Sequence, residues 1–368
     1  MPVTDAGPAY VYVGTYTRSL PHVQAKAEGI YVYRMDAEGG DWRHVQTVPD
    51  VPNPSYLTLH PSRRFLYAVN EVGEIDGERG GAVSAFSVDP ASGKLTFLNR
   101  RSTHGEDPCH LTVEPSGRYV LASNYSGGSV AMFRVQEDGS VSPSTDFHQH
   151  VGKSVNAERQ NEPHAHSINV DPTGRFALVC DLGQDRVIVY RLELDSGKLV
   201  PHGWVASEPG VGPRHLDFHP NGRLAYVIDE IGNTMTTYAW DGANGQLEAL
   251  QSVSTLPEGT SLPNGTADVH VHRSGRFVYG SNRGHDSIAI LAIDATSGKL
   301  SSIGHESTLG KTPRNFSLDA SGRYLYAANQ NSDTVVAYQI DEGTGKLTPT
   351  GQQFDVPTPV CIKMARFG

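Results

Sequence analysis

Apolar residues alternate with polar ones in short runs along most of the chain, and each run ends at a turn rich in Gly, Pro, Asp or Ser. Residues 65–70 read FLYAVN and follow the turn HPSRR, while residues 82–88 read AVSAFSV and precede the turn DPASGK. A two-residue period with a turn roughly every ten residues is typical of antiparallel β-strands joined as hairpins. The pattern therefore predicts an all-β protein.

The alternating runs belong to a longer repeat. Its first element is a turn, a basic residue and a strand that ends in Asn or Asp, and its copies are HPSRRFLYAVNE (60–71), EPSGRYVLASNY (114–125), DPTGRFALVCDL (171–182), HPNGRLAYVIDE (219–230), HRSGRFVYGSNR (272–283) and DASGRYLYAANQ (319–330). The strand-ending residues, called markers below, are Asn70, Asn124, Asp181, Asp229, Asn282 and Asn329. A second strand with its own Asp/Gly turn follows each marker. A period of roughly fifty residues made of strands and turns indicates a β-propeller.

The N-terminus supplies a seventh copy. AYVYVGTYT (9–17) matches the first element with Thr15 as its marker, and GIYVYRMDAEGG (29–40) matches the second. This copy lacks the strand that precedes the turn in the others, and the C-terminal TPVCIKMARFG (358–368) resembles that strand. We therefore predict one domain over 1–368, a seven-bladed β-propeller of four-stranded antiparallel blades whose C-terminal strand joins the N-terminal blade, leaving no exposed edge. A pair of β-sandwiches is the alternative, but it does not explain seven in-phase copies.

Charged residues break the repeat where the innermost strands begin and where the marker strands end. In a propeller the innermost strands line a central channel. The first aligned position of these strands holds Ser55, Cys109, His166, Arg214, Ala267, Arg314 and Val360. The next position holds, in the same order, Tyr56, His110, Ser167, His215, Asp268, Asn315 and Cys361. The residues after the markers are Tyr16, Glu71, Tyr125, Leu182, Glu230, Arg283 and Gln330. A scaffold needs none of these charges, so they predict a site at one mouth of the channel; a solvated rim with incidental charges is the alternative.

The residue types at these positions indicate an anionic ligand. Arg214, Arg283 and Arg314 offer planar guanidinium groups that bind carboxylates or phosphates through paired hydrogen bonds. His166 and Glu230 add proton transfer near neutral pH, and an arginine can stabilise an oxyanion during acyl chemistry. Together they suit the opening or closing of a lactone on an acidic molecule.

Two further features bear on this site. His164 and His166 lie two residues apart, so a metal ion is conceivable, but no third ligand completes a set, and we predict neither metal nor cofactor. The long segment 143–162 contains Arg159 and leads into the strand of His166; such an insertion often folds over a site, although a plain surface loop is the alternative. We predict that the substrate contacts His110, His164, His215, Asp268, Arg314 and Arg159.

Composition narrows the expected partners and location. A net charge of −10 argues against nucleic acid or an anionic membrane as a partner, although a local arginine cluster can reverse the field. Cys109, Cys180 and Cys361 are too few for a disulfide framework and fit a reducing compartment. The N-terminus lacks the pattern of a secretory signal, and no run approaches the ~18 apolar residues of a membrane span. We expect a cytoplasmic protein, monomeric or weakly self-associating, whose partner is a small anionic lactone.

Four long motifs stand out: HVGKSVNAERQNEPHAHS (150–167), GPRHLDFHPNGRLAYVIDE (212–230), ADVHVHRSGRFVYGSNRGHDSIA (267–289) and TPRNFSLDASGRYLYAANQNSDTV (312–335). They resemble the seven-bladed propeller lactonases, a family that includes bacterial 6-phosphogluconolactonases of the propeller type and fungal carboxy-cis,cis-muconate cyclases. The resemblance runs over nearly the whole chain. Carried over from the muconate cyclase branch, it implies a catalytic set of His166, Arg214, Glu230 and Arg283.

The resemblance also implies an activity. It favours hydrolysis of a sugar-acid lactone, above all 6-phospho-glucono-1,5-lactone in the pentose phosphate pathway, with His164, His166 or Glu230 as the general base. A cycloisomerase that forms a lactone from a carboxylated muconate is the first alternative, and a propeller that only binds partner proteins is the second. The sequence departs from the family at GKS (152–154), at the turn HRSG (272–275) and at Asp268, where Glu is common. We expect these departures to change substrate preference and not the fold.

Overall fold

Seven four-stranded antiparallel sheets surround a central channel as blades, which confirms the predicted seven-bladed propeller. The structure is a computed structural model that describes residues 7–35 and 40–367. The strands of each blade are given from the innermost to the outermost. Blade 1 has β30 (Pro359–Arg366), β1 (Ala9–Thr15), β2 (Gly29–Met35) and β3 (Trp42–Pro49), and blade 2 has β4 (Leu57–Leu59), β5 (Phe65–Asn70), β8 (Ala82–Val88) and β9 (Leu95–Ser102). Blade 3 has β10 (Pro108–Val113), β11 (Tyr119–Asn124), β12 (Ser129–Val135) and β13 (Val141–Gln149), and blade 4 has β14 (Ala165–Val170), β15 (Phe176–Asp181), β16 (Arg186–Glu193) and β17 (Lys198–Ala206).

The other three blades follow the same order. They are blade 5 with β18 (Pro213–Phe218), β19 (Leu224–Asp229), β20 (Thr234–Asp241) and β21 (Gln246–Ser254); blade 6 with β22 (Gly265–Val271), β23 (Phe277–Arg283), β24 (Ser287–Ile293) and β25 (Leu300–Ser307); and blade 7 with β26 (Pro313–Leu318), β27 (Tyr324–Asn329), β28 (Thr334–Ile340) and β29 (Leu347–Asp355). Outside the blades lie a small hairpin of β6 (Glu74–Ile75) and β7 (Glu78–Arg79) and two 3₁₀ turns, Leu182–Gln184 and Gln330–Ser332.

The ring closes as the sequence predicts, because β30 pairs antiparallel with β1 and completes blade 1. Each innermost strand contacts the innermost strand of the next blade, and β30 contacts β4. The predicted turn between β2 and β3 falls partly on residues 36–39, outside the described residues, as do residues 1–6. Within the described residues, no helix is long and apolar enough to cross a membrane.

Two kinds of side chain, a tyrosine and an asparagine, recur from blade to blade and connect neighbouring segments through hydrogen bonds. The hydroxyl groups of Tyr67, Tyr226 and Tyr279 donate to the backbone carbonyls of Gly139, Gly298 and Gly345, each in a turn of the next blade. A buried tyrosine can do this because its apolar ring packs in the core while its hydroxyl reaches a polar partner. The marker asparagines fasten the segment that enters their own blade, since the amides of Asn70, Asn282 and Asn329 donate to the carbonyls of Pro52, Thr255 and Thr308.

Irregular strand pairing determines which residues face the channel. The ladders of β10, β14, β18, β26 and β30 skip one residue near the mouth, and the ladder of β22 skips two. A skipped residue is unpaired and its side chain is re-aimed, as in a β-bulge. Two consecutive residues of one strand can therefore both line the channel, as Arg214 and His215 do. In the alignment given under Sequence analysis, the set that begins with Ser55 is called the mouth ring. The set that begins with Tyr56 is called the middle ring.

Candidate active site

Glu230, directly after β19, is the centre of a buried charge cluster at the channel mouth. Its carboxylate accepts hydrogen bonds from Arg159 Nη2 at 2.5 Å and Arg214 Nε at 2.8 Å, and it forms an ion pair with Arg283 Nη2 at 2.9 Å. Burial by itself would raise the pKa of Glu230, but these cations, Arg283 first, hold that pKa well below its usual range. Glu230 is therefore ionised and a poor proton acceptor, and its role in this geometry is to fix the three arginines.

Arg214 and Arg283 reach Glu230 from different blades. Arg214 is the skipped residue of β18 and is only 2 % exposed, and it also donates to the carbonyl of Ala267. Arg283 ends β23 and donates to the carbonyl of Thr266 at 2.8 Å. The following Gly284 has φ of +120°, and a Cβ there would lie 2.2 Å from a backbone carbonyl oxygen. Only glycine fits this turn, which lets the strand stop with the Arg283 side chain at the mouth.

Arg159 comes from the connection between β13 and β14. The first part of the predicted insertion 143–162 is in fact regular strand, because β13 continues to Gln149 and pairs with β12. The remainder is anchored by buried side chains: His150 hydrogen-bonds to Asp181 at 2.6 Å, and the Gln160 amide donates to the backbone of blade 4 at 2.8 Å. Between these anchors, Arg159 extends over the mouth to Glu230 with its side chain 43 % exposed.

Arg314 provides a fourth cation on the other side of the mouth. As the skipped residue of β26, it lies with its guanidinium 5.6 Å from the centre of the Tyr16 ring and 3.9 Å from the Glu71 carboxylate. The Tyr16 hydroxyl donates to Glu71 at 2.9 Å, and burial raises the pKa of Glu71 despite Arg314. Four arginines thus face two glutamates, one of them only weakly acidic, and the mouth is net positive in a protein that is acidic as a whole. Sequence reasoning did not assign a role to Glu71 or Tyr16, although both stand at the aligned positions after the markers.

His166 is the neutral imidazole at this mouth. It is the skipped residue of β14, and its Nδ1 lies 3.6 Å from Cys109 Sγ. With Ser55, Glu71, Arg214 and Arg314 it lines a small space that we call the mouth pocket. Burial and the nearby Arg214 lower the pKa of His166 well below its usual value. Within the described part of the chain, its Nε2 has no hydrogen-bond partner. His164 differs from this neighbour, because it stacks on Tyr125 at a ring distance of 4.5 Å and hydrogen-bonds to the Tyr125 carbonyl.

A hydrogen-bonded relay in the middle ring supports Arg214. Arg214 Nη1 donates to His215 Nε2 at 3.2 Å, which assigns the ring proton of His215 to Nδ1, where it is donated to Asp268 at 2.7 Å. The other Asp268 oxygen accepts from Asn315 at 2.5 Å and from His270 at 3.1 Å. Burial and Arg214 lower the pKa of His215 to about 4, so the relay holds a neutral imidazole against a guanidinium. A carboxylate that fixes a histidine tautomer in this way orients the group on its far side.

Three aromatic rings form a floor beneath the mouth. The rings of Tyr56, His110 and His215 contact one another with centroid distances of 4.2, 5.3 and 5.8 Å. The enclosed space above them measures about 10 Å³, which is room for roughly one water molecule. A larger ligand would therefore bind above the floor, among Arg159, Arg283 and Arg314. Direct substrate contact by His110, His215 and Asp268, which lie in or below this floor, stays a prediction.

Among residues 7–35 and 40–367, no set of three or more His, Cys, Asp or Glu side chains could hold a metal ion. Cys109, Cys180 and Cys361 are buried free thiols, as expected for a chain without a disulfide framework.

Comparison with known proteins gives concordant results. The family model described as Lactonase, 7-bladed beta-propeller, matches residues 10–364. The 6-phosphogluconolactonase of Bacillus subtilis is 36 % identical over 96 % of this chain and 97 % of its own length. A crystal structure described as a putative 6-phosphogluconolactonase from Bacteroides fragilis is 33 % identical, with a TM-score of 0.90 and coverage of 99 % and 100 %. The structure of the periplasmic gluconolactonase of Pseudomonas aeruginosa is also 33 % identical, with a TM-score of 0.90 over 98 % and 100 % of the two chains.

Proposed function

Because the chain belongs to the seven-bladed β-propeller lactonase family and is a lactone-hydrolysing enzyme, we propose that its substrate is a phosphorylated sugar lactone, 6-phospho-glucono-1,5-lactone, which it opens to 6-phosphogluconate in the pentose phosphate pathway. The observation that carries the proposal is the positive mouth, where Arg159, Arg214, Arg283 and Arg314 surround a neutral His166. The name of the Bacillus subtilis relative supports the phosphate. The expected cytoplasmic location and the oligomeric state stay predictions.

In the proposed reaction, His166 is the general base. Its neutral imidazole takes a proton from water as the water oxygen attacks the lactone carbonyl carbon. Arg214 and Arg283 stabilise the oxyanion that forms, and the imidazolium then returns its proton to the ring oxygen as the carbon–oxygen bond breaks. An imidazole with a strongly lowered pKa is a weak base. A bound phosphate would offset the part of the lowering that comes from the arginines and so raise the pKa of His166, while the larger part, which comes from burial, would remain.

Glu230 was the competing candidate for the base, and the geometry favours a different role. Both of its oxygens are occupied by guanidinium groups, and its pKa is lowered. Losing one of the three cations would have to precede any proton transfer to Glu230. We therefore propose that Glu230 positions Arg159, Arg214 and Arg283, and that Arg159 and Arg314 contact the phosphate at the open side of the mouth.

The test follows lactone opening by the purified full-length protein against the spontaneous rate, with 6-phospho-glucono-1,5-lactone and the unphosphorylated lactone side by side. We expect acceleration that favours the phosphorylated substrate, and a fall in kcat of about 10²–10⁴-fold in His166→Asn. His164→Asn is the matched control, because His164 stacks on Tyr125, and it should retain most of the activity.

Two results would contradict the proposal. Lactone opening no faster than the spontaneous reaction is the first. Conversion of a carboxylated muconate in an ultraviolet assay, without lactone hydrolysis, is the second, and it would support the cycloisomerase instead.

A further inference from the structure

Behind the aromatic floor, the channel widens into a second cavity of about 190 Å³, here called the rear chamber. Tyr56 and His215 line both this cavity and the mouth pocket, so one layer of rings is the floor of the pocket and the roof of the chamber. The rear chamber is therefore separated from the proposed active site by side chains that are already packed against one another.

The wall of the chamber is a third ring of aligned residues, two positions further along each innermost strand than the middle ring. Residues two apart on a strand point to the same side, so these side chains face the channel as well. The rear ring consists of Thr58, Thr112, Asn169, Asp217, His270, Ser317 and Lys363, of which all but Ser317 line the chamber. Every member is polar, whereas its neighbours along the strands, such as Leu216 and Phe218, are apolar. The fold alone does not require a wholly polar ring, and its polarity suits a ligand that forms hydrogen bonds.

Lys363, in blade 1, is a cation of this ring that lines the chamber. The Lys363 ammonium lies 3.5 Å from the Tyr56 hydroxyl and 4.7 Å from the centre of that ring, and among the described residues no carboxylate lies within ion-pair distance of it. Its remaining N–H donors are available to the chamber. His270 adds no net positive charge, because its Nε2 is paired with Asp268 at 3.1 Å and its Nδ1 lies 3.9 Å from Asp217.

The next three blades present hydroxyl and amide groups. Thr58, Thr112 and Asn169 line the chamber there. Asp217 follows in blade 5, beside His270, and already accepts the backbone N–H groups of Phe218 and Val271 at 2.9 and 2.8 Å. A second negative charge at this end would be repelled by Asp217, whereas a ligand hydroxyl could donate to it. A cavity of ~150 Å³ accommodates benzene, so this chamber accommodates roughly six to ten non-hydrogen atoms.

We propose that the rear chamber is a binding site for a small monocarboxylic hydroxy acid. The ligand carboxylate lies against Lys363, and its hydroxyl groups bond to Thr58, Thr112 and Asn169. A dicarboxylate is disfavoured by Asp217, and a neutral polyol leaves Lys363 without a counter-ion. This site is distinct from the mouth, and the proposal does not depend on the identity of the lactone that the mouth opens.

The test is calorimetric titration of L-threonate into the full chain. We expect binding that weakens at least tenfold in Lys363→Met and recovers in Lys363→Arg, with little binding of erythritol, which lacks the carboxylate. Arg283→Met, at the mouth, and Lys311→Met, an exposed lysine paired with Asp286, should bind within about twofold of the parent chain. Thermal unfolding of each variant checks that it is folded.

Absence of binding to the parent chain would overturn the proposal. So would a loss in Arg283→Met with binding unchanged in Lys363→Met, because threonate would then occupy the mouth. Lactone opening by Lys363→Met should stay within about twofold of the parent rate. A protein that binds threonate through Lys363 and opens no lactone would refute the proposed substrate and leave the rear site standing.

Discussion

The mouth ring and the rear ring are built from the same seven strands, yet their charges are arranged differently. At the mouth, skipped residues bring Arg214 and Arg314 into the channel, and Glu230 joins three arginines into one cluster. At the rear, side chains follow plain alternation, and among the residues that the structure describes the Lys363 ammonium has one polar side-chain contact, the Tyr56 hydroxyl. Removing one charge at the mouth therefore disturbs several groups, whereas a change at the rear acts on one side chain.

The largest effect is expected when the shared counter-ion of the mouth is removed. In Glu230→Gln, a neutral amide replaces the carboxylate that holds three guanidinium groups together. Lactone opening should fall by about 10²–10³-fold, and urea unfolding should show a loss of about 3–5 kcal/mol, since the arginines are left buried without a counter-ion. Lys363→Met at the rear is the control. Near-normal activity in Glu230→Gln would show that the cluster is not needed for catalysis.

A smaller effect is expected between the two rings, where the relay supports Arg214. In Asp268→Asn, the amide can donate to His215 Nδ1 and shift the ring proton to Nε2, where it meets the Arg214 guanidinium. We expect kcat to fall about 10–100-fold with little change in KM. Nitrogen-15 NMR of the His215 ring would report the tautomer. Ser317→Ala, in the rear ring, is the matched control, and an unchanged tautomer with full activity in Asp268→Asn would remove the relay from the mechanism.

The rim of the mouth should affect substrate choice more than rate. Arg159 is half exposed and lies on a connection, so Arg159→Met should raise KM for the phosphorylated lactone about tenfold and leave the unphosphorylated lactone nearly unchanged. Arg186→Met removes a cation that lies over Trp204, away from the mouth, and should change neither value. An equal rise in KM for both lactones would show that Arg159 acts by holding Glu230 in place and not by contacting the phosphate.

The smallest effect is expected at a marker outside both rings. Within residues 7–35 and 40–367, one carboxylate oxygen of Asp229 has no hydrogen-bond partner, and burial raises the pKa of Asp229 to about 7, whereas most other markers are Asn. The folded state holds this proton more tightly than the unfolded state, so the stabilising contribution is complete below about pH 4 and is lost as the pH rises to about 7.

Asp229→Asn should therefore raise the unfolding temperature at pH 8 by a few degrees, with the difference shrinking towards pH 4. Asp181→Asn should do the opposite at pH 8, because the Asp181 carboxylate accepts from His150, Gln184 and the backbone of His164. A pH-independent difference for Asp229→Asn would contradict a buried protonated carboxyl.

Local patterns were enough to predict the propeller. The alternation of apolar and polar residues predicts the strands, and Gly and Asp predict the turns. Seven copies, with the last strand displaced to the C-terminus, predict a closed ring. Each of these signals can be read from the sequence because each lies within one short segment. The same reading located His166, Arg214, Glu230 and Arg283, since a charge that departs from a repeat is visible in the sequence. It could not distinguish the two neighbouring histidines, because His166 reaches the pocket at a skipped ladder position while His164 packs on Tyr125.

The sequence by itself determined the number of blades, the closure of the ring and the residues of the mouth and middle rings. Only the tertiary structure decided how those residues are paired. Arg159 meets Glu230 across two blades, and Glu71 becomes a second, weaker counter-ion beside Arg314. The division of the channel into a mouth pocket and a rear chamber likewise arises where Tyr56, His110 and His215 meet. The physical reason is that pairing and partition depend on the register and burial of strands from different blades, which no single segment encodes.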